Sequence, residues 1–253
     1  MKLIKALKEG FGFLTMMPIG RTMDELPTHT YLFPFIGAII GMIIGFLGLV
    51  FRSFMPAELS AVFIICSLYL LTGVQHFDGL VDFGDGFFAP RGKKSEAMRD
   101  VSVGAGGVIF GALALLLLFS SITYIMNLST FTFFKIFLAA EVCAKSSMVT
   151  LIAFGKSTHD GMGKTFIDHA KKRDAVVSLA FTLVILLLAF RRFGLLFFIA
   201  TVLLSFIILK IAKRNFGGVS GDVFGASNEI TRAAFYAAAV IGINLIRLGL
   251  VRF

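Results

Sequence analysis

Hydrophobic residues run along this chain in seven blocks, at 35–51, 57–74, 108–126, 133–154, 175–190, 195–209 and 233–250, with the polar residues gathered between them. A helix that crosses a bilayer needs about 20 mostly apolar residues, with a range near 17–25. The blocks therefore predict an all-α, polytopic membrane helix bundle of about seven transmembrane helices. Pro34 and Pro56 stand just where the first two helices should begin, a place where a missing N–H costs nothing. Only Arg191, Arg192 and Gly194 interrupt 175–209, which predicts a tight hairpin there. Ahead of the first block, Leu3, Leu7, Phe11 and Leu14 recur at helical spacing among Lys2, Lys5 and Lys8. Segment 1–31 thus reads as an amphipathic element on the membrane surface. Gly10, Gly12 and Pro18 break its apolar run and no small-residue cleavage site follows, so a cleavable signal peptide is not expected.

The basic residues orient this bundle. Seventeen Lys and Arg fall in the N-terminal segment and the connections 75–107, 155–174 and 210–232, whereas four fall in the alternate connections and at the C-terminus. Lys135, Lys145 and Arg247 lie within or at the ends of spans. The positive-inside rule then puts the N-terminus and the three long loops in the cytoplasm. The expectation is one integral-membrane domain, 1–253, in the cell membrane, with those loops forming a cytoplasmic active site.

Composition agrees with the pattern. The chain of 253 residues is 57% hydrophobic and 15% charged, with mean hydropathy +0.91, against about 45–50% and roughly a quarter for soluble domains. A water-soluble globular enzyme is excluded. The net charge of +9 comes without a basic stripe interleaved with aromatics, so no nucleic-acid partner is expected. Cys66 and Cys143 sit in apolar runs without metal-site spacing and read as small buried hydrophobes. Nothing in the chain sets its oligomeric state, and a homo-oligomer is left open.

Chemistry concentrates in Thr72–Arg91, TGVQHFDGLVDFGDGFFAPR. Asp78, Asp82 and Asp85 are spaced i, i+4 and i+7, which on a helix spreads them over about 60° of one face. Three carboxylates so placed repel one another unless a cation lies among them, and hard oxygen ligands suit Mg²⁺. Acids this close to hydrocarbon are expensive and functional by default. Gln75 and His76 flank them. Glycine-rich runs at Gly104–Gly107, behind Arg99 and Asp100, and at Gly217–Gly225, with Asp222, Asn228 and Glu229, are candidate phosphate cradles at helix starts. Glu141 and Lys145 form an i, i+4 pair inside the fourth span that either neutralises itself or faces a substrate. His159, Asp160 and Lys164 lie in 155–174, where His159 reads as a solvated loop residue.

In order, FPFIGAIIG (33–41), TGVQHFDGLVDFGDGFF (72–88), MRD with its following glycines (98–107), GMGKTF (161–166) and GGVSGDVFGASNEI (217–230) resemble the cobalamin synthase family, the adenosylcobinamide-GDP ribazoletransferases, over nearly the whole chain. Ser102 and Lys145 stand where that family usually has arginine. The resemblance implies a magnesium-dependent membrane enzyme of late cobalamin biosynthesis. A ribose hydroxyl of α-ribazole, or of its 5′-phosphate, would attack adenosylcobinamide-GDP and release GMP. It further implies that Asp78, Asp82 and Asp85 hold the metal, and that Asp82, Asp85 or His76 takes the ribose proton. Arg99 and Lys145 would contact phosphates, the Gly217–Gly225 loop, with Gly218, Gly221 and Asp222, would bind nucleotide or a second metal, and Asp100, Asn228 and Glu229 would belong to the substrate site.

Two rivals remain on the sequence alone. DFGDGFFAPR is close to the first half of the CDP-alcohol phosphotransferase signature, but its second half is missing downstream. A transporter would need charges near the bilayer midplane, where only Glu141 and Lys145 qualify, and no repeat between halves is visible.

Overall fold

The computed structural model describes residues 2–20 and 22–250; Arg21 and Arg252, both counted in the charge asymmetry, lie outside them. Eleven α-helices follow in order: α1 (Lys2–Leu14), α2 (Phe33–Phe51), α3 (Ala57–Thr72), α4 (Gln75–Phe88), α5 (Lys94–Ala97), α6 (Ala105–Met126), α7 (Thr130–Phe154), α8 (Met162–His169), α9 (Lys172–Phe190), α10 (Arg192–Phe216) and α11 (Gly221–Arg247). Among the described residues there is no strand, only an isolated bridge between Ser157 and Val219.

Among the described residues six helices are long and apolar enough to cross a membrane: α2 with the 3-10 turn before it, α6, α7, α9, α10 and α11. The α3–α4 pair makes a seventh if its 99° bend is read as one broken span. The chain is thus a multi-pass membrane protein. α3 alone has 16 residues, about 24 Å of helix, and it packs against α2 and α6, so it takes the place expected of the 57–74 block. Gly73 makes the bend, at φ 73° and ψ 174°, a conformation side chains rarely tolerate.

α7 is the central post: 89% of its most apolar 18-residue window is buried inside the protein, against 28% for α9 and α10. α2 lies along it through a glycine seam. A Cβ on Gly37 would come within 2.7 Å of the Glu141 carbonyl, and one on Gly41 within 2.6 Å of the Phe137 carbonyl. Small residues four apart let two backbones meet where lipid supplies no hydrophobic drive.

After the bend, α4 lies across one end of the bundle. Its Gly79 abuts Asp222 at the start of α11, its Gly84 abuts Gly106 at the start of α6, and its Gly86 abuts Phe216 at the end of α10. α1 lies at the same end, where Gly10 rests on Leu26 and Ile36 and the Met16 N–H donates to the Leu71 carbonyl. The bundle side of α1 is Ala6, Glu9, Gly10 and Leu14, while Leu3 and Ile4 remain exposed.

The long loops are more helical than their polarity suggests. Segment 75–107 contains α4 and α5, and 155–174 contains α8. Of 210–232, only Gly217–Ser220 is non-helical, because α10 and α11 both run past their apolar blocks. Arg232, placed by sequence among the loop charges, is therefore inside α11 and fully buried. The charge asymmetry survives the loss of one residue.

Candidate active site

At the end crossed by α4 a cavity of about 490 Å³ opens between α1, the start of α4, the 157–164 segment and the start of α11. Its polar wall includes Gln75, His76, Ser157, His159, Ser220 and Asp222, and its apolar wall includes Phe13, Met23 and Met162. Gly221 leaves the start of α11 open: nothing lies within 4 Å of where its Cβ would be.

His76 is 8% exposed and its Nδ1 has no hydrogen-bond partner. Burial, then the positive charges of Lys145 and Arg232, push its imidazole well below the ordinary value. The ring is neutral; the residue lines the cavity, while the unpartnered Nδ1 itself lies buried.

The three aspartates of α4 form the expected face, with Asp78 exposed and Asp82 and Asp85 half-buried. Asp85 is already engaged. Its two oxygens accept from the N–H groups of Gly104 (2.9 Å) and Gly107 (2.7 Å). It thereby caps α6, whose N-cap glycine has no side chain for the purpose. The glycine run 104–107 is thus no open phosphate cradle; this protein's own carboxylate fills it. Asp82 is crowded instead. Burial, then the charges of Asp78, Asp222 and Asp85, push its carboxyl up to about 7.

Among the described residues no three His, Cys, Asp or Glu side chains are disposed to share one ion. Mg²⁺ commonly takes only one or two carboxylates, completing its shell with water and substrate phosphate. Asp82, with Asp78 or Asp222 beside it, supplies the one or two hard carboxylates such an ion takes, and the mutual repulsion around Asp82 is what a cation would relieve.

The remaining expectations divide. Gly221 and Asp222 line the cavity as expected, with Asp222 Oδ2 accepting from Ser220 Oγ (3.2 Å). Gly218 packs its backbone against the Lys156 carbonyl and tightens the turn before α11. Arg99 reaches the rim, where Nη2 lies 3.5 Å from His159 Nδ1. Asp100 accepts from Ser102 N–H and Oγ, and both it and Arg99 line a separate surface hollow beside Gly92 and Glu96. His159 is an exposed loop residue, as expected, and it also lines the cavity.

Lys145, Asn228 and Glu229 do not line the cavity. They belong to a buried network between α7 and α11. Lys145 Nζ donates to Glu141 Oε2 (3.1 Å) and Asn228 Oδ1 (2.7 Å). Arg232 grips Glu141 with Nε and Nη2 and Glu229 with Nη1. Asn228 Nδ2 and Tyr69 Oη donate to Glu229 from its two sides. Two carboxylates face two cations, so the pair Glu141–Lys145 is half of a neutral quartet.

Arg232 and Glu9 escaped the sequence reading. Glu229–Arg232 is an i, i+3 pair at the edge of an apolar block, a signal equal to Glu141–Lys145. Glu9 breaks the bundle face of α1 and accepts from Thr22 Oγ1 (2.8 Å), Glu25 N–H (3.0 Å) and Leu26 N–H (2.9 Å). It thereby ties the 22–26 segment to the cavity wall.

An all-α membrane bundle with a polar, acid-flanked cavity at one end is the architecture of an intramembrane enzyme acting on a charged substrate drawn from water. The chain belongs to the Cobalamin-5-phosphate synthase family, whose model matches residues 6–240. Relatives named adenosylcobinamide-GDP ribazoletransferase include one from Methanococcoides burtonii, 37% identical over 96% of this chain and 94% of its own. Another from Methanocella arvoryzae is 38% identical over 95% and 96%. One from Archaeoglobus fulgidus is 37% identical over 88% and 91%. No solved structure matches the chain.

Proposed function

We propose that this protein joins α-ribazole, or α-ribazole 5′-phosphate, to adenosylcobinamide-GDP, works as one integral-membrane unit in the cell membrane, and opens its cavity to the cytoplasm. The observation that carries the reading is full-length similarity to relatives bearing that activity's name, in a chain whose charged cavity faces the Lys/Arg-rich side.

In the reaction a ribose hydroxyl oxygen forms a bond to the phosphorus nearer the corrinoid. The bond from that phosphorus to the bridging oxygen breaks, and GMP carries the electron pair away. Asp82, with Asp78 or Asp222 beside it, would hold Mg²⁺, which supplies charge neutralisation for the pyrophosphate when bound. The chain's own part is positioning and proton handling. His76 takes the hydroxyl proton: it is neutral, it lines the cavity, and its buried Nδ1 has no partner to give up. The open amide end of α11 at Ser220–Asp222 and the Arg99–His159 rim hold phosphate oxygens. Phe13, Met23 and Met162 give an aromatic base an apolar surface. Asp85 acts indirectly, by fixing α6 to α4.

The test uses purified protein in liposomes with adenosylcobinamide-GDP, each form of α-ribazole, and Mg²⁺ or EDTA, following GMP and the corrinoid product by mass spectrometry. Metal-dependent product lost in Asp82→Asn is expected. Full activity of that variant would overturn the metal assignment, and no product from folded protein would overturn the function.

A further inference from the structure

The opposite end of the bundle carries a second crevice, of about 350 Å³, between the start of α7, the α9–α10 hairpin and the end of α11. Its wall is aromatic: Phe190 and Phe197 meet edge-on at 5.2 Å, and each leans at a tilt against Phe235. Gly242 leaves the α11 side open, since the nearest atom to its Cβ position is Phe197 Cζ at 3.9 Å.

Two cations stand at this apolar slot, Lys135 from α7 and Arg191 from the hairpin. Neither forms an ion pair with a carboxylate among the described residues, though Lys135 Nζ lies over the Phe131 ring, 3.7 Å from its centroid. Basic residues are scarce at this end, and two of the others have acceptors. Arg52 donates to the Leu128 carbonyl and Thr130 Oγ1, and Arg247 donates to Tyr124 Oη. Arg191 is also the one described non-glycine residue with positive φ, 52°, a backbone cost an ordinary surface turn would avoid by using glycine.

An apolar slot between membrane helices with two like charges at its mouth suits an amphiphile with an anionic head. We infer that this crevice binds an anionic phospholipid from the leaflet opposite the active site, its phosphate on Lys135 and Arg191 and an acyl chain along Phe190, Phe197 and Gly242. Cationic heads at the interface favour anionic over zwitterionic lipid, and the chain fills space that would otherwise be a void.

The test is thermal unfolding of delipidated full-length protein in detergent, with added phosphatidylglycerol, phosphatidylcholine or soluble glycerol 3-phosphate, alongside native mass spectrometry of retained lipid. Wild type should gain Tm and hold lipid with phosphatidylglycerol alone. The double variant Lys135→Gln/Arg191→Gly removes both charges and relieves the backbone, and should lose that gain. Gly242→Leu keeps both charges but fills the slot from a position with room, and should lose it too. The control Lys210→Gln/Lys213→Gln, at the other end, should retain it. Equal gains in wild type and both crevice variants would overturn the site. An equal response to glycerol 3-phosphate would also overturn it, assigning the cations to a soluble anion.

Discussion

Arg232→Met is the sharpest probe of how this bundle tolerates charge in its interior. The side chain is fully buried and its partners are two carboxylates, each about 1% exposed. Removal takes three hydrogen bonds from Glu141 and Glu229 and leaves two negative charges against Lys145 alone. Breaking a buried ion network by deleting one partner costs about 3–5 kcal/mol, because the charges left behind remain desolvated. At about 2–4 °C per kcal/mol for a chain of this size, Tm should fall on the order of 10 °C. The second variant, Arg232→Met/Glu229→Gln, restores neutrality with Glu141 facing Lys145. It should recover part of the loss, with a coupling of about 0.5–3 kcal/mol. Equilibrium unfolding in mixed detergent measures all four proteins of the cycle: wild type, Arg232→Met, Glu229→Gln and the double variant. A single variant within about 0.5 kcal/mol of wild type, or a double variant showing the plain sum of both single losses, would refute the claim that charge balance holds α7 to α11.

Other perturbations follow from the same geometry. Gly79→Ala puts a Cβ 2.6 Å from the Asp222 carbonyl oxygen and 2.8 Å from its Cα. Neither atom can swing away, so α4 must lift from α11, at about 1–3 kcal/mol and with turnover falling by about a hundredfold; wild-type turnover would show that this crossing does not set the site. Glu9 gives a pH dependence. Burial opposes its charge, but hydrogen bonds from Thr22, then Leu26 and Glu25, outweigh it and hold its pKa below the ordinary carboxylate value. Its stabilisation is therefore full above the unfolded value of about 4.3 and is lost as pH falls through the lower folded value. Hydrogen exchange over 15–26 should quicken in that acid window in wild type, and Glu9→Gln should be faster already at neutral pH. Asp85→Ala removes the cap of α6, worth about 0.5–2 kcal/mol. The Gly104 and Gly107 amides should then exchange faster, and unchanged protection would show the cap to be idle.

Much of this architecture is a property of composition along the line. Apolar blocks of membrane length must become helices, because a backbone in hydrocarbon can satisfy its polar groups only internally. The hairpin at Arg191–Gly194 and the amphipathic α1 were legible for the same reason. So was the α4 acid face, since spacing of four and three puts Asp78, Asp82 and Asp85 on one side of any helix. Helix limits were less legible. Polar α11 residues from Asp222 to Arg232 read as loop, yet they are helical because they face partners on α4, α7 and α3 instead of water.

Which acids and bases do what was decided in three dimensions. Asp82 and Asp85 are equivalent by spacing, but only Asp85 meets the uncapped amides of α6, a contact set by how α4 turns at Gly73. Lys145 and Arg232 are 87 positions apart and share Glu141 only because the glycine-free faces of α7 and α11 pack together. Local pattern carries burial and periodicity, which depend on neighbours in sequence. Hydrogen-bond partners and electrostatic crowding depend on distances across the bundle, and no spacing along the chain encodes those.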